Sequence, residues 1–229
     1  MQEWPDTFDF ETDEICQTRF KPFIKAELAN LRAYDDERPE GKTYIFHQHA
    51  ARVAKDVKKT ALALGQSDIV ANNLYWAVLP HDIGKRQLPI NMWDSEEKPT
   101  GTIKKIRRTH TLLGVQIVEE LFPDISHPFK DLMLDIMARH HEQMDGNGTL
   151  GFKGEELSLP VRLTAIVEAY DGYRIWRPHF GDRDISPPGV IKRMREEKGA
   201  QIYDMALFEA FADMKMQEYV QIKNFEENL

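Results

Sequence analysis

His81 and Asp82 stand side by side at the end of an apolar run and are followed by Gly84 and Lys85. Adjacent imidazole and carboxylate can turn two ligand types toward one centre. A mixed nitrogen and oxygen set suits Mn, Fe, Ni or Zn better than Mg or Ca, which favour oxygen alone. Taken by itself, a His-Asp dipeptide is more often a solvated helix end. The weight comes from its company: His49, His110, His140, His141 and Asp171 fall at intervals of 32 residues (His49 to His81), 28 (Asp82 to His110), 30 (His110 to His140) and 30 (His141 to Asp171). Each interval holds about one helix with its connections, since a mean helix is about 11–12 residues and loops are short. Successive helices can therefore each deliver a donor to one bundle interior, as di-metal helical proteins do.

These residues lie in ordered motifs. His49-Ala50-Ala51-Arg52-Val53 comes first, then His81-Asp82-Ile83-Gly84-Lys85, then His110-Thr111-Leu112-Leu113-Gly114. His140-His141-Glu142-Gln143-Met144-Asp145-Gly146-Asn147-Gly148 follows, and Asp171 with Arg177-Pro178 downstream closes the series. In type, spacing and order the five motifs, over roughly residues 42–215, resemble the HD superfamily of metal-dependent phosphohydrolases and within it the HD-GYP branch.

The resemblance implies an all-α fold, a single HD-type helical bundle with few or no strands. It implies two divalent transition-metal ions, Fe or Mn in the first place, with Ni, Zn or Co also admitted. His49, His81, Asp82 and Asp171 would hold one ion and Asp82, His110, His140 and His141 the other, with Asp82 bridging. Some relatives place a Glu where this chain has Ile45, which favours two metals over three. Asp82 and Lys85 are then the catalytic residues, and Lys85 and Arg177 bind the substrate phosphate. A metal-bridging hydroxide would attack a phosphodiester in line, with cyclic di-GMP as the implied substrate. One motif departs from the pattern: the expected Gly-Tyr-Pro reads Gly148-Thr149-Leu150, and His179 replaces a usual Tyr. That change leaves the ligands intact but keeps two alternatives open, a phosphohydrolase acting on another nucleotide or phosphoester, and a catalytically silent nucleotide-binding signalling module.

Composition sets the outer bounds. With 30 basic and 38 acidic residues among 229, the net charge is −8, which argues against bulk nucleic-acid binding through a basic face. A phosphorylated small molecule or cyclic dinucleotide remains a suitable partner if metals and a few cations line its pocket. The single cysteine, Cys16, offers no disulfide framework and points to a reducing cytoplasm. The N-terminus lacks a basic start with an apolar run, and no stretch approaches the ~20 apolar residues of a membrane span. A homodimer is compatible with the sequence.

The elements that must position the motifs follow from periodicity. Residues 1–41 read as an N-terminal helical extension, with a docking helix over Pro22–Leu31 and a charged connector over Tyr34–Lys42; residues 42–229 read as the phosphohydrolase domain. Helices are expected over 44–64, with Gly65 as the stop, and over 69–79 behind the N-cap Ser67. Residues 87–101 read as irregular, and one helix is expected over 102–121. Further helices are expected over 128–142, 159–173, 189–198 and 203–219. His47 is out of phase with the motif and reads as surface or supporting. Lys104, Lys105, Arg107 and Arg108 read as an exposed helical face in preference to a patch that steers substrate.

Overall fold

The computed structural model describes residues 3–94, 98–177 and 180–228. Its helices are α1 (Lys21–Asp36), α2 (Phe46–Ala63), α3 (Asp68–Val78), α4 (Gly101–Arg108), α5 (His110–Leu121), α6 (Pro128–Arg139), α7 (Leu159–Arg174), α8 (Pro187–Arg193), α9 (Gly199–Ile202) and α10 (Met205–Glu227). No strand occurs among the described residues, and the fold is the all-α bundle expected. No helix among them is long and apolar enough to cross a membrane.

Helix starts follow the polar residues that can satisfy orphan N–H groups. The Ser67 hydroxyl accepts from Val70 N at 3.2 Å, Ser158 from Val161 N at 3.4 Å and Ser186 from Gly189 N at 3.2 Å. The centre of the bundle is α2, packed on α3, α7, α1 and α10. Its Ala50, Val53, Ala54, Val57 and Ala61 are fully buried, an apolar stripe at helical spacing. Gly65 takes a φ of 77°, the left-handed conformation that stops a helix.

Two expectations about the elements change. The stretch 102–121 is two helices, α4 and α5, broken at Thr109. One straight helix cannot serve both faces: α4 buries no residue, whereas α5 turns His110, Thr111, Gly114 and Val118 into the core. The charged connector is also not simply solvated. Asp35 is 0% exposed and Arg38 4%. Asp35 accepts from Phe46 N (3.1 Å) and His47 N (2.9 Å), capping α2, and lies 2.8 Å from His47 Nδ1. Arg38 donates to Asp35 (2.7 Å), to the Tyr44 carbonyl (2.9 Å) and in a fork to Asp94 (2.9 and 2.6 Å). A buried ion pair holds only with such full compensation. The lead-in before α1 joins the same core through Phe10, Cys16 and Phe20.

Candidate metal centre

Five helices converge their ends or inner faces on one point. His49 comes from α2, His81 and Asp82 from the turn after α3, His110 from the first position of α5, His140 and His141 from the end of α6, and Glu168 from α7. The donors form two groups: His49, His81, Asp82 and Glu168 in one, and His110, His140 and His141 in the other, each within 4.8 Å. Asp82 faces both. Its Oδ2 lies 3.5 Å from His49 Nε2 and from His81 Nε2, and its Oδ1 lies 3.1 Å from His110 Nε2 and 3.9 Å from His140 Nε2.

Gly84 makes this convergence possible. A Cβ there would lie 2.0 Å from the His110 carbonyl oxygen and 2.5 Å from Gly114 N. The HD turn and the start of α5 can approach only over a bare backbone, so Gly84 is required by close packing; its φ is not positive.

The hydrogen-bond pattern indicates what the centre can hold. His81 Nδ1 donates to the Val78 carbonyl (2.9 Å), His110 Nδ1 to the Arg107 carbonyl (2.6 Å) and His140 Nδ1 to the Met137 carbonyl (3.0 Å). A carbonyl can only accept, so each Nδ1 carries a hydrogen, and in the neutral ring each Nε2 turns a lone pair inward. These lone pairs face a carboxylate and one another; His110 and His140 Nε2 stand 3.3 Å apart. His81 Nε2 and Asp82 Oδ1 are buried without a hydrogen-bond partner. Converging buried nitrogens and carboxylate oxygens, two of them unpartnered, fit cations, and the imidazole and carboxylate mixture fits divalent transition metals.

Charge balance agrees. Burial would raise the Asp82 carboxyl, but Lys85, His81 and His110 outweigh it and hold it well below the usual range. Glu168 is likewise held well below its usual value: His49 overcomes the effect of burial. His140 is pushed down to about 3 by burial, then by His81 and His110, and His141 also falls well below its usual value by burial, then by His140 and His110. Both imidazoles are thereby held in the neutral form, the form that can offer a lone pair to a metal.

Asp171, expected as a ligand, is not among the donors facing the centre. Its Oδ2 accepts from His49 Nδ1 at 2.6 Å, and Arg52 grips both its oxygens at 2.7 and 2.9 Å. It orients His49 from behind, and Glu168, one turn earlier on α7, stands where Asp171 was expected, in contact with His49 Nε2 and 3.3 Å from His81 Nε2. Both positions fit a buried acidic face; the sequence motif favoured Asp171, whereas the geometry turns Glu168 inward. His47 stays outside the donor groups, bound to Asp35.

A cavity of about 900 Å³ opens over the centre, with Lys85, His110, His141 and Glu168 at its floor. Lys and Arg outnumber Asp and Glu along it by eleven to four, an inversion of the chain's acidic balance that focuses a positive field on one cleft. Lys85 is ion-paired with Asp82, and its ammonium lies 5.1 Å from the Tyr44 ring centre and 4.7 Å from that of Phe46. Arg177 lies over Tyr44 at 4.8 Å; Pro178 and His179 lie outside the described residues. Lys104, Arg107 and Arg108 line the cleft and Lys105 does not, so the basic cluster of α4 is largely turned toward the centre. Arg108 donates to the His141 carbonyl (3.1 Å) and to Thr149 Oγ1 (2.8 Å). The loop that departs from the Gly-Tyr-Pro pattern is thus tied to the centre. From within, the Glu142 carboxylate accepts from the N–H groups of Leu150, Gly151 and Phe152 at 2.7–2.8 Å.

Comparison with known proteins agrees with this geometry. The family model of the HD domain matches residues 41–207. The chain belongs to the HD domain family. Among relatives of this HD domain, a cyclic di-GMP phosphodiesterase of Thermotoga maritima is 25% identical over 206 residues, covering 90% of this chain and 53% of that protein. The 3'3'-cGAMP-specific phosphodiesterase 1 of Vibrio cholerae is 24% identical, covering 79% of this chain and 40% of that protein. The chain therefore spans about half the length of such relatives. An HDG"Y"P protein from Bdellovibrio bacteriovorus superposes with a TM-score of 0.63 at 16% identity, over 90% of this chain and 64% of that one. The HD domain of the L. monocytogenes phosphodiesterase PgpH, in complex with cyclic-di-AMP, gives 0.54 at 13% identity, over 88% of this chain and 96% of that one. These two likenesses establish the fold of the HD domain.

Glu168 is the donor that sequence reasoning missed, along with Tyr44 and Trp93, which wall the cleft. A signal for Glu168 was available: it lies between the buried Val167 and Tyr170, three residues before Asp171, and a carboxylate within an apolar stripe is costly unless paired or metal-bound. Tyr44 and Trp93 stand outside regular helix, where periodicity gives no guidance.

Proposed function

We propose that this chain is a metal-dependent phosphodiesterase acting on a cyclic dinucleotide, in the first place cyclic di-GMP. The observation that carries the reading is Asp82, whose two oxygens face two groups of donors at the floor of a cation-lined cleft. His49, His81, Asp82 and Glu168 would hold one divalent cation and Asp82, His110, His140 and His141 a second, with Mn or Fe the best match to the ligand types. When bound, such a pair supplies an activated water and Lewis-acid neutralisation of charge on the phosphoryl oxygens.

The protein's own groups do the rest. Lys85 sits against Asp82 on the cleft floor, placed for a phosphoryl oxygen on which negative charge develops. Arg177, propped on the Tyr44 ring, can hold a second phosphate oxygen and orient the diester. Asp171 and Arg52 keep His49 in the tautomer that turns Nε2 inward. Water adds to phosphorus, the ester bond to the ribose oxygen breaks, and that oxygen takes up the proton, leaving a linear dinucleotide. The relatives named as cyclic dinucleotide phosphodiesterases support this substrate class, and the single buried cysteine suits a cytoplasmic setting.

The test is to load anaerobically purified protein with Mn or ferrous iron, add cyclic di-GMP and resolve the products by chromatography. Formation of a linear dinucleotide, lost together with metal in Asp82→Ala, is expected. No conversion with metal retained would reject cyclic di-GMP as substrate. A second reading, another phosphoester substrate, is motivated by the loop in which Thr149 binds Arg108 where the family pattern has Tyr; turnover of other diesters but not cyclic dinucleotides would favour it.

A further inference from the structure

The cleft carries an aromatic surface that the chemistry at its floor does not use. Most aromatic rings around it are engaged. Trp93 donates its Nε1–H to Tyr34 (2.9 Å), packs edge-on against Phe46 at 5.0 Å and carries Arg107 at 5.5 Å. Tyr44 carries Arg177 at 4.8 Å, and Phe180 has Arg177 at 5.6 Å and Arg183 at 5.1 Å. Trp176 differs. It lines the same cleft, is 45% exposed, and its indole makes no ring or cation contact among the described residues. Its backbone is nevertheless fixed, because Thr43 Oγ1 donates to its carbonyl at 2.9 Å. The next residue, Arg177, turns back over Tyr44 toward the floor. An anchored, unengaged indole thus stands at the mouth, directly beside a cation placed for phosphate.

An indole half-exposed within a cation-lined cleft offers a flat apolar face with a polar edge to whatever enters. The cleft's charge indicates an anionic ligand, and an anionic ligand with an aromatic face is a nucleotide. We infer that Trp176 is the stacking platform for a nucleobase of the substrate, and that it makes this site selective for nucleotides over phosphoesters without a base. The inference rests on the phosphodiesterase reading for the class of ligand, but it concerns a different part of the molecule, so the two can fail separately. Base-to-aromatic stacking is worth about 1–3 kcal/mol per base. Truncation of Trp176 should therefore weaken nucleotide binding by about 10-fold, within a range of roughly 5–150-fold.

Two measurements on the metal-loaded full chain decide it. In the first, titration calorimetry compares GMP with ribose 5-phosphate, which has the same phosphate and sugar but no base. The wild type should bind GMP about 10-fold more tightly. That preference should vanish in Trp176→Ala and largely return in Trp176→Phe, while the affinity for ribose 5-phosphate stays the same in all three. Equal affinity of the wild type for both ligands, or a preference that survives in Trp176→Ala, would overturn the inference. This readout does not need turnover, so it stands even if cyclic di-GMP is not hydrolysed. In the second, where cyclic di-GMP is hydrolysed, Trp176→Ala should raise KM about 10-fold with kcat nearly unchanged, the signature of binding lost equally from ground and transition states. Inhibition by inorganic phosphate should be unaltered. A fall in kcat, or a matching loss of phosphate inhibition, would mean that the substitution disturbs the floor of the site and would reject a base platform.

Discussion

The two halves of the candidate metal centre share Asp82 but are built differently. On one side His49, His81 and Glu168 form a charged, hydrogen-bonded group: His49 is raised to about 9, because Glu168 and Asp171 outweigh burial. On the other side His110, His140 and His141 form a group of imidazoles, and two of these, His140 and His141, are held neutral by burial and by one another. The first half can hold together through its own ion pairs. In the second, the Nε2 atoms of His110 and His140 stand 3.3 Å apart, each ring tied through Nδ1 to a backbone carbonyl. Carboxylates let a half balance its charge within the protein, whereas an all-imidazole half carries no counter-charge of its own.

The largest effect should come from the residue that belongs to both halves. Asp82→Ala removes the only carboxylate among the described residues that faces both donor groups, so metal content and the proposed phosphodiesterase activity should fall together to background, as read by elemental analysis and product chromatography. A variant still replete with metal would break the comparison at its root.

Gly84→Ala should come next and act on the imidazole half. The added methyl meets backbone of His110 and Gly114 at 2.0 and 2.5 Å, and backbone cannot yield as a flexible side chain does. Overpacking of this kind costs about 1–3 kcal/mol, read as a lowered urea midpoint. It should displace His110 and lower metal occupancy while leaving His49 and Glu168 in place. An unchanged midpoint would show that the turn and α5 can separate at little cost.

The assignment within the charged half is sharpened by a pair of variants. Glu168→Gln should abolish one equivalent of bound metal. Asp171→Asn removes only the support behind His49, for which a loss of about 10–100-fold in metal affinity is usual, so saturating metal should restore full occupancy. If titration gave the reverse order, Asp171 would be the ligand and Glu168 the support. The smallest effect is expected for Thr149→Val, which removes one hydrogen bond from Arg108. Faster proteolysis of the 145–154 loop, a cost of about 1 kcal/mol and unchanged metal content are expected; lost metal would mean that the loop holds the imidazole half in place.

Much of this molecule was legible in the sequence. Donor types and their spacing near thirty residues placed His49, His81, Asp82, His110, His140 and His141 on successive helices, and the structure brings all six to one point. Apolar periodicity located the helices, because a helix that must bury one face writes that face at a fixed period. A carboxylate on the buried stretch of α7 was legible at both Glu168 and Asp171, but which of them faces the centre was not. The two lie one turn apart on a buried stretch of α7, and a small rotation of that helix decides which reaches the centre and which reaches Arg52. The break at Thr109, the burial of Asp35 and Arg38, and the gathering of Lys104, Arg107 and Arg108 into the cleft were likewise decided by packing. A sequence states which groups a chain owns and at what period they recur. Which carboxylate meets a cation and which meets an arginine depends on the directions in which separate helices meet, and those are fixed only when the whole core closes.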